Sequence, residues 1–123
     1  MDRKKILLVD DEEAIRKMVR AVLGSEFYDF GEAVNGLDAQ IKLEKEKFDL
    51  IITDVIMPDC DGIELVMAIR RKLPDAKVIV VSGGGRVRAG HCLDLAGKLG
   101  AVRVFEKPFD TAALRTAVKE LLS

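Results

Sequence analysis

The chain has 123 residues, with 20 Lys and Arg against 21 Asp and Glu and a formal net charge of -1 at neutral pH. That length suits one domain spanning 1–123, with no output domain expected after it, and the near-balanced charge argues against a nucleic-acid binder held by bulk electrostatics. With 33% charged and 49% hydrophobic residues, the composition is that of a globular protein and not of a disordered tail. No apolar run approaches the roughly 18 residues that a membrane span needs. The opening MDRKKILLVDDEE turns acidic before a signal-peptide core could form, so a cytoplasmic protein is expected. Cys60 and Cys92 lie far apart, with no C-x-x-C and no companion histidine pair. A zinc site or a disulfide framework is therefore not expected, and both are read as reduced thiols.

Along the chain, strand and helix patterns alternate. Lys5 to Val9 is a buried-strand run that meets Asp10-Asp11-Glu12-Glu13 at once. A helix is predicted from Glu12 to Leu23, with Ile15, Met18, Val19, Val22 and Leu23 inward, Arg16, Lys17 and Arg20 outward, and Gly24 as its stop. Phe27 to Val34 reads as a more polar edge strand with Gly31 as a possible bulge. Asn35-Gly36 turns into a helix that runs to about Lys45 and is expected to bury Leu37, Ile41 and Leu43. Asp49 to Thr53 follows as a central strand. A third helix, Ile63 to Lys72, carries Ile63, Val66, Met67 and Ile69. The remaining elements are a fourth strand at Lys77 to Ser82, a helix near Gly90 to Leu99, a fifth strand at Val102 to Phe105, and a last helix at Asp110 to Leu122. The last helix takes Asp110 or Thr111 as cap and turns Leu114, Val118, Leu121 and Leu122 inward.

Five strands, each followed by a helix, require parallel pairing with right-handed crossovers and helices on both faces of the sheet. The fold class is thus a doubly wound α/β domain. Ligands of such folds sit at the carboxyl ends of the strands, near the point where strand order reverses. The residues placed on that rim are Asp10 and Asp11 after strand one, Asp54 after strand three, Ser82 after strand four and Lys107 after strand five. Two unit charges about 4 Å apart repel by roughly 4 kcal/mol at an effective dielectric near 20, so three carboxylates need a cation to stay ionised together. Oxygen-only ligands favour Mg²⁺, or Mn²⁺, over Zn²⁺. A metal, a lysine and a hydroxyl around one carboxylate suit a phosphoryl group on Asp54, with that carboxylate as nucleophile. Taken singly, each feature has a plainer reading: Asp54 caps a loop, the acidic run is a first helical turn that favours the dipole, Ser82 ends a strand and Lys107 is solvated.

LLVDDEE, AVNG at 33–36, D-x-x-M-P-x-x-D-G at 54–62, VVSG at 80–83 and KPF at 107–109 occur in this order and spacing over the whole chain. In this the sequence resembles the CheY-like receiver domains of two-component response regulators. The resemblance implies a five-stranded sheet of order 2-1-3-4-5, a phosphoacceptor at Asp54, metal-site acids at Asp10 and Asp11 joined by Asp54 itself, and the main-chain carbonyl of Ile56 in the metal shell. It further implies that Ser82 holds a phosphoryl oxygen, that Lys107 pairs with it, and that Lys107-Pro108 is cis. The partners implied are a sensor histidine kinase or a histidine phosphotransfer protein and a downstream protein target. The expected protein is a monomer or weak dimer, with no direct nucleic-acid or membrane binding and no turnover chemistry beyond phosphoryl transfer and hydrolysis at Asp54.

Three features depart from the family pattern. Val104 stands where an aromatic switch residue is usual, and Phe105 falls on the alternating face. Gly83-Gly84-Gly85 and Gly90 lengthen the span between Ser82 and Lys107, which predicts a mobile loop there. Ile56 borders the path of attacking water. His91, the only histidine, lies away from every motif, and Cys60 is an ordinary loop thiol beside the site. Phosphorylation would add about -1.5 to -2 charges at the rim and draw Ser82 and Lys107 inward. The basic-leaning face of the fourth helix, fifth strand and fifth helix is the expected binding surface. A phosphorelay carrier and a phosphorylation-independent binding module are the alternatives. A haloacid-dehalogenase-type phosphatase would need a D-x-D at the first strand, where this chain has Asp10-Asp11, and the acidic first loop disfavours a flavin carrier.

Overall fold

The computed structural model describes residues 3–54, 61–73, 76–82, 103–106 and 110–122. Five strands form one parallel sheet: β1 (Lys4–Val9), β2 (Tyr28–Ala33), β3 (Leu50–Asp54), β4 (Lys77–Ser82) and β5 (Arg103–Glu106). Their order is β2-β1-β3-β4-β5, as the family resemblance implies. The described helices are α1 (Glu13–Leu23), α2 (Gly36–Lys45), α3 (Asp61–Lys72) and a last helix, α4 (Thr111–Leu122). The helix predicted near Gly90 to Leu99 lies outside the described residues, as do the glycine-rich span, His91 and both cysteines.

The strands are apolar on both faces because each face is covered. On one side Leu7, Val9, Ile51, Val78 and Val80 pack with Ala39 of α2 and with Leu65, Val66 and Ile69 of α3. On the other, Ile6, Leu8, Leu50, Ile52, Ile79 and Val81 meet Val19 and Leu23 of α1 and Leu114, Ala117, Val118 and Leu121 of α4. The alternation of successive residues between these two cores is the period-two pattern of a strand.

Helix ends follow their local chemistry. Gly24 closes α1 with φ 92°, a conformation that side chains avoid, and its N–H donates to the Arg20 carbonyl at 2.9 Å. Asn35 caps α2 by accepting from the Asp38 N–H at 2.7 Å, and the Asp38 carboxylate takes the Val34 N–H at 3.0 Å. Asp110 caps α4, its carboxylate accepting from the Ala112 N–H at 2.9 Å.

Several sequence expectations are corrected. Leu37 and Ile41 are 69% and 44% exposed. The inward stripe of α2 is instead Gly36, Ala39 and half-buried Leu43. Residues 37 and 41 share the spacing of a helix face, but on the neighbouring stripe, and the small residues at 36 and 39 are those that face the sheet. Met18 and Met67 are likewise exposed, flanking stripes occupied by Val19 and by Leu65, Val66 and Ile69. Gly31 makes no bulge, since the β1–β2 register runs unbroken from Lys4↔Tyr28 to Val9↔Ala33. A Cβ at Gly31 would stand 2.8 Å from Cζ of Phe48. The missing side chain is the seat of that buried ring.

Candidate phosphoryl and metal site

Strand order reverses between β1 and β3, and the crevice in which this fold binds ligands opens there. The pair Val9↔Thr53 ends the β1–β3 ladder, so Asp10 and Asp54 follow side by side on strands about 4.8 Å apart. Both are buried, 4% and 2% exposed. Asp54 pairs in turn with Val81 of β4. Beneath it Thr53 is fully buried, and its hydroxyl donates to the Asp54 carbonyl at 3.1 Å.

Asp10 is held from several directions. Its N–H donates to the Ala33 carbonyl at 3.1 Å, tying the end of β1 to the end of β2. Its carboxylate accepts from the Glu12 N–H at 2.9 Å, which turns the chain into α1. The cap residue Glu12 makes no side-chain cap bond of its own. One carboxylate oxygen from each of Asp10, Asp11 and Glu12 lies within 4.8 Å of the others, with Asp10 buried and the other two exposed. Such hard, anionic, oxygen-only donors fit a small divalent cation with part of its water retained, and disfavour a thiophilic metal.

The sequence reading named Asp10, Asp11 and Asp54, with the Ile56 carbonyl, as the metal site; the acids the structure groups within 4.8 Å are Asp10, Asp11 and Glu12, with Glu12 brought in by the turn into α1 and Asp54 beside Asp10 on the neighbouring strand. It also set Arg16 and Arg20 simply outward, and here the structure differs. Arg16 Nε donates to a Glu32 carboxylate oxygen at 2.8 Å, and Arg20 Nη1 to the other at 2.7 Å. Arg16 Nη1 reaches the main-chain carbonyl of Asp10 at 2.6 Å. Lys42 donates to the Glu32 carbonyl. Burial raises the pKa of Glu32, but its hydrogen bonds and charge attraction to the two arginines outweigh that, and the carboxyl titrates below its ordinary value near 4.5. No local pattern announces this cluster, because it joins a helix to the strand that follows it.

Of the other rim residues, Ser82 is the last residue of β4 and pairs with Glu106, which directly precedes Lys107. The Ser82 side chain, Ile56, and Lys107 with its following proline lie outside the described residues. Val104 of β5 pairs with Val80 of β4; its side chain and that of Phe105 are likewise outside. Among the described helices none is long and apolar enough to cross a membrane.

Comparison with known proteins agrees with this geometry. The family described as the response regulator receiver domain matches over residues 6–119. Sporulation initiation phosphotransferase F of Bacillus subtilis (strain 168) is 35% identical over 122 residues, which is 99% of this chain and 96% of that protein. Chemotaxis protein CheY of Listeria monocytogenes is 37% identical over 117 residues, covering 94% of this chain and 96% of its own. Among solved structures, a CheY-like receiver domain protein from Methanospirillum hungatei JF-1 superposes with a TM-score of 0.84 at 29% identity, covering 97% of this chain and 93% of the other.

Proposed function

The chain belongs to the response-regulator receiver family of two-component signalling, and from that premise we propose that Asp54 accepts a phosphoryl group and thereby switches a protein-protein contact. The observation that carries the proposal is the β1–β3 register, which sets buried Asp54 beside buried Asp10 at the edge of a three-acid cluster. A buried carboxylate at that edge can act as a nucleophile, and its acidic neighbours call for a cation.

Asp10, Asp11 and Asp54, with the Ile56 carbonyl, would hold Mg²⁺, and Glu12, in the same acid cluster as Asp10 and Asp11, would add its negative charge. The ion supplies charge neutralisation for the incoming phosphoryl oxygens. An Asp54 carboxylate oxygen forms the new O–P bond as the P–N bond of a kinase phosphohistidine breaks. The electron pair stays on the departing imidazole, which takes a proton from water. Ser82 and Lys107, carried at the ends of β4 and β5, would bond the phosphoryl oxygens afterwards. Because β4 and β5 are adjacent, a pull at their ends would be passed to the expected binding surface of the fourth predicted helix, β5 and the last helix, α4. We place the protein's target on that surface, its kinase or phosphotransfer partner over the rim, and its action in the cytoplasm. No turnover chemistry beyond the transfer and its hydrolysis is proposed.

Transfer from an autophosphorylated histidine kinase domain tests this reading. Label should pass to the wild-type chain with Mg²⁺ and not with a chelator present. A chain that takes no label under either condition contradicts it. A relay role is the second reading, favoured by the full-length match to a protein named as a phosphotransferase. Rapid return of label from the chain to a histidine phosphotransfer domain would identify a relay, and slow loss to water would identify a terminal switch.

A further inference from the structure

The acid cluster sits on the short turn between β1 and α1, and a guanidinium from the start of α1 is bonded to that turn. Arg16 is nearly enclosed, its side chain 12% exposed. Its fork points two ways, Nε at 2.8 Å to Glu32 and Nη1 at 2.6 Å to the Asp10 carbonyl. Glu32 is itself immobilised at both carboxylate oxygens by Arg16 and Arg20, and at its carbonyl by Lys42. The Asp10 peptide is thus held at its N–H by Ala33 and at its carbonyl by Arg16, with both holds anchored on the last two residues of edge strand β2. A planar fork with several donors can span two acceptors in this way, whereas an ammonium is a point charge.

We infer that Arg16 is a positioning residue for the acid pocket: braced by Glu32, it sets the Asp10 peptide so that the Asp10, Asp11 and Glu12 carboxylates converge on a cation. The inference rests on the metal reading given above. Its sign separates it from a simple field effect. A positive charge beside a cation site repels the cation, so removal of Arg16 would tighten Mg²⁺ binding if charge alone mattered. A brace predicts the reverse. Loss of groups that orient metal ligands typically costs about 10 to 100-fold in affinity. Arg16 holds a backbone carbonyl and not a ligand atom, so the low end, about tenfold, is expected.

The experiment titrates Mg²⁺ alone into wild type, Arg16→Met and Arg20→Met, with amide exchange at residues 10–13 measured before metal is added. Arg16→Met keeps most of the aliphatic stem. Arg20→Met removes the same charge from the same carboxylate but no bond to the acid loop. Weaker Mg²⁺ binding by about tenfold in Arg16→Met, faster exchange at residues 10–13, and a change under about twofold in Arg20→Met support the brace. Unchanged or tighter binding in Arg16→Met overturns it, as do equal losses in both variants. A salt bridge that only joined α1 to β2 would lower the melting temperature and leave Mg²⁺ affinity unmoved. If wild type takes up no Mg²⁺, the metal reading fails by itself, and the exchange comparison alone decides the brace. Should Arg16→Met fold poorly, Arg16→Lys carries the same test, since it keeps the charge and loses the fork.

Discussion

Gly31→Ala is expected to destabilise the protein, although it removes a glycine from a strand. The new Cβ would stand 2.8 Å from Cζ and 2.9 Å from Cε1 of Phe48, and 3.4 Å from Cδ1 of Leu7. Real Cβ contacts do not reach the first two distances, so the ring must move. It is 6% exposed within the core shared by Leu7, Val9 and Ile51, and its chain is held nearby by the Asp49 N–H bond to the Lys5 carbonyl at 2.8 Å. Overpacking of this kind costs about 1–3 kcal/mol. Against it stands about 0.4–1 kcal/mol of stabilisation from a less flexible unfolded chain. The net expectation is a loss of about 1 kcal/mol, or roughly 3–5 °C in melting temperature for a chain of this size. Urea unfolding of wild type, Gly31→Ala, Phe48→Leu and the double variant measures it. Because the smaller leucine side chain makes room for the methyl group, the double variant should be more stable than the sum of the single effects by about 1 kcal/mol. A Gly31→Ala protein as stable as wild type, or a strictly additive cycle, would refute the reasoning and return Gly31 to a conformational role.

The depressed pKa of Glu32 gives a pH dependence with a definite sign. A carboxyl whose folded pKa lies below its unfolded value contributes stability above that unfolded value, near 4.5, and loses it as pH falls through the folded one. The stability gap between wild type and Glu32→Gln should therefore be full at neutral pH and close below about pH 4.5; a gap that stays constant across that range contradicts the ion cluster. On α2, Leu37→Ala should change stability by no more than about 0.5 kcal/mol, because that side chain is mostly exposed. Leu114→Ala, on the fully buried face of α4, should cost about 2–5 kcal/mol. Similar losses at both positions in chemical denaturation would mean that the inward stripe of α2 has been misplaced.

The contrast between those two leucines shows what the sequence makes legible. Between their terminal residues, strands such as KILLV and KVIVVS are continuously apolar because both their faces are covered, and those runs identify them without further information. The last helix has one wide apolar stripe, and Leu114, Val118 and Leu121 are buried as its spacing predicts. On α2 two stripes have the same spacing, one of small residues and one with Leu37 and Ile41. Only the closeness of the sheet decides between them, and no periodicity contains that distance. Gly31 is a similar case: the residue that accounts for it, Phe48, is 17 positions away in the chain and meets it only once β1 has paired with β2 on one side and β3 on the other. At the site, Asp10, Asp11 and Asp54 were legible because strand ends dictate where carboxylates emerge. Glu12 entered the cluster through the geometry of a turn. Arg16 on α1 and Glu32 on edge strand β2 were hidden because a charged residue on either reads as solvated until helix and strand are side by side.

The central claim is that Asp54 is the phosphoryl acceptor of a metal-dependent pocket. Intact-mass analysis after incubation with a small acyl phosphate tests it most directly, on wild type and Asp54→Asn, each with Mg²⁺ and with chelator. One added phosphoryl group on wild type with Mg²⁺, and none in the other three samples, is the predicted result. Equal phosphorylation of Asp54→Asn would move the acceptor elsewhere. No addition to any sample, from either the acyl phosphate or a kinase domain, would leave the receiver fold as a phosphorylation-independent binding module.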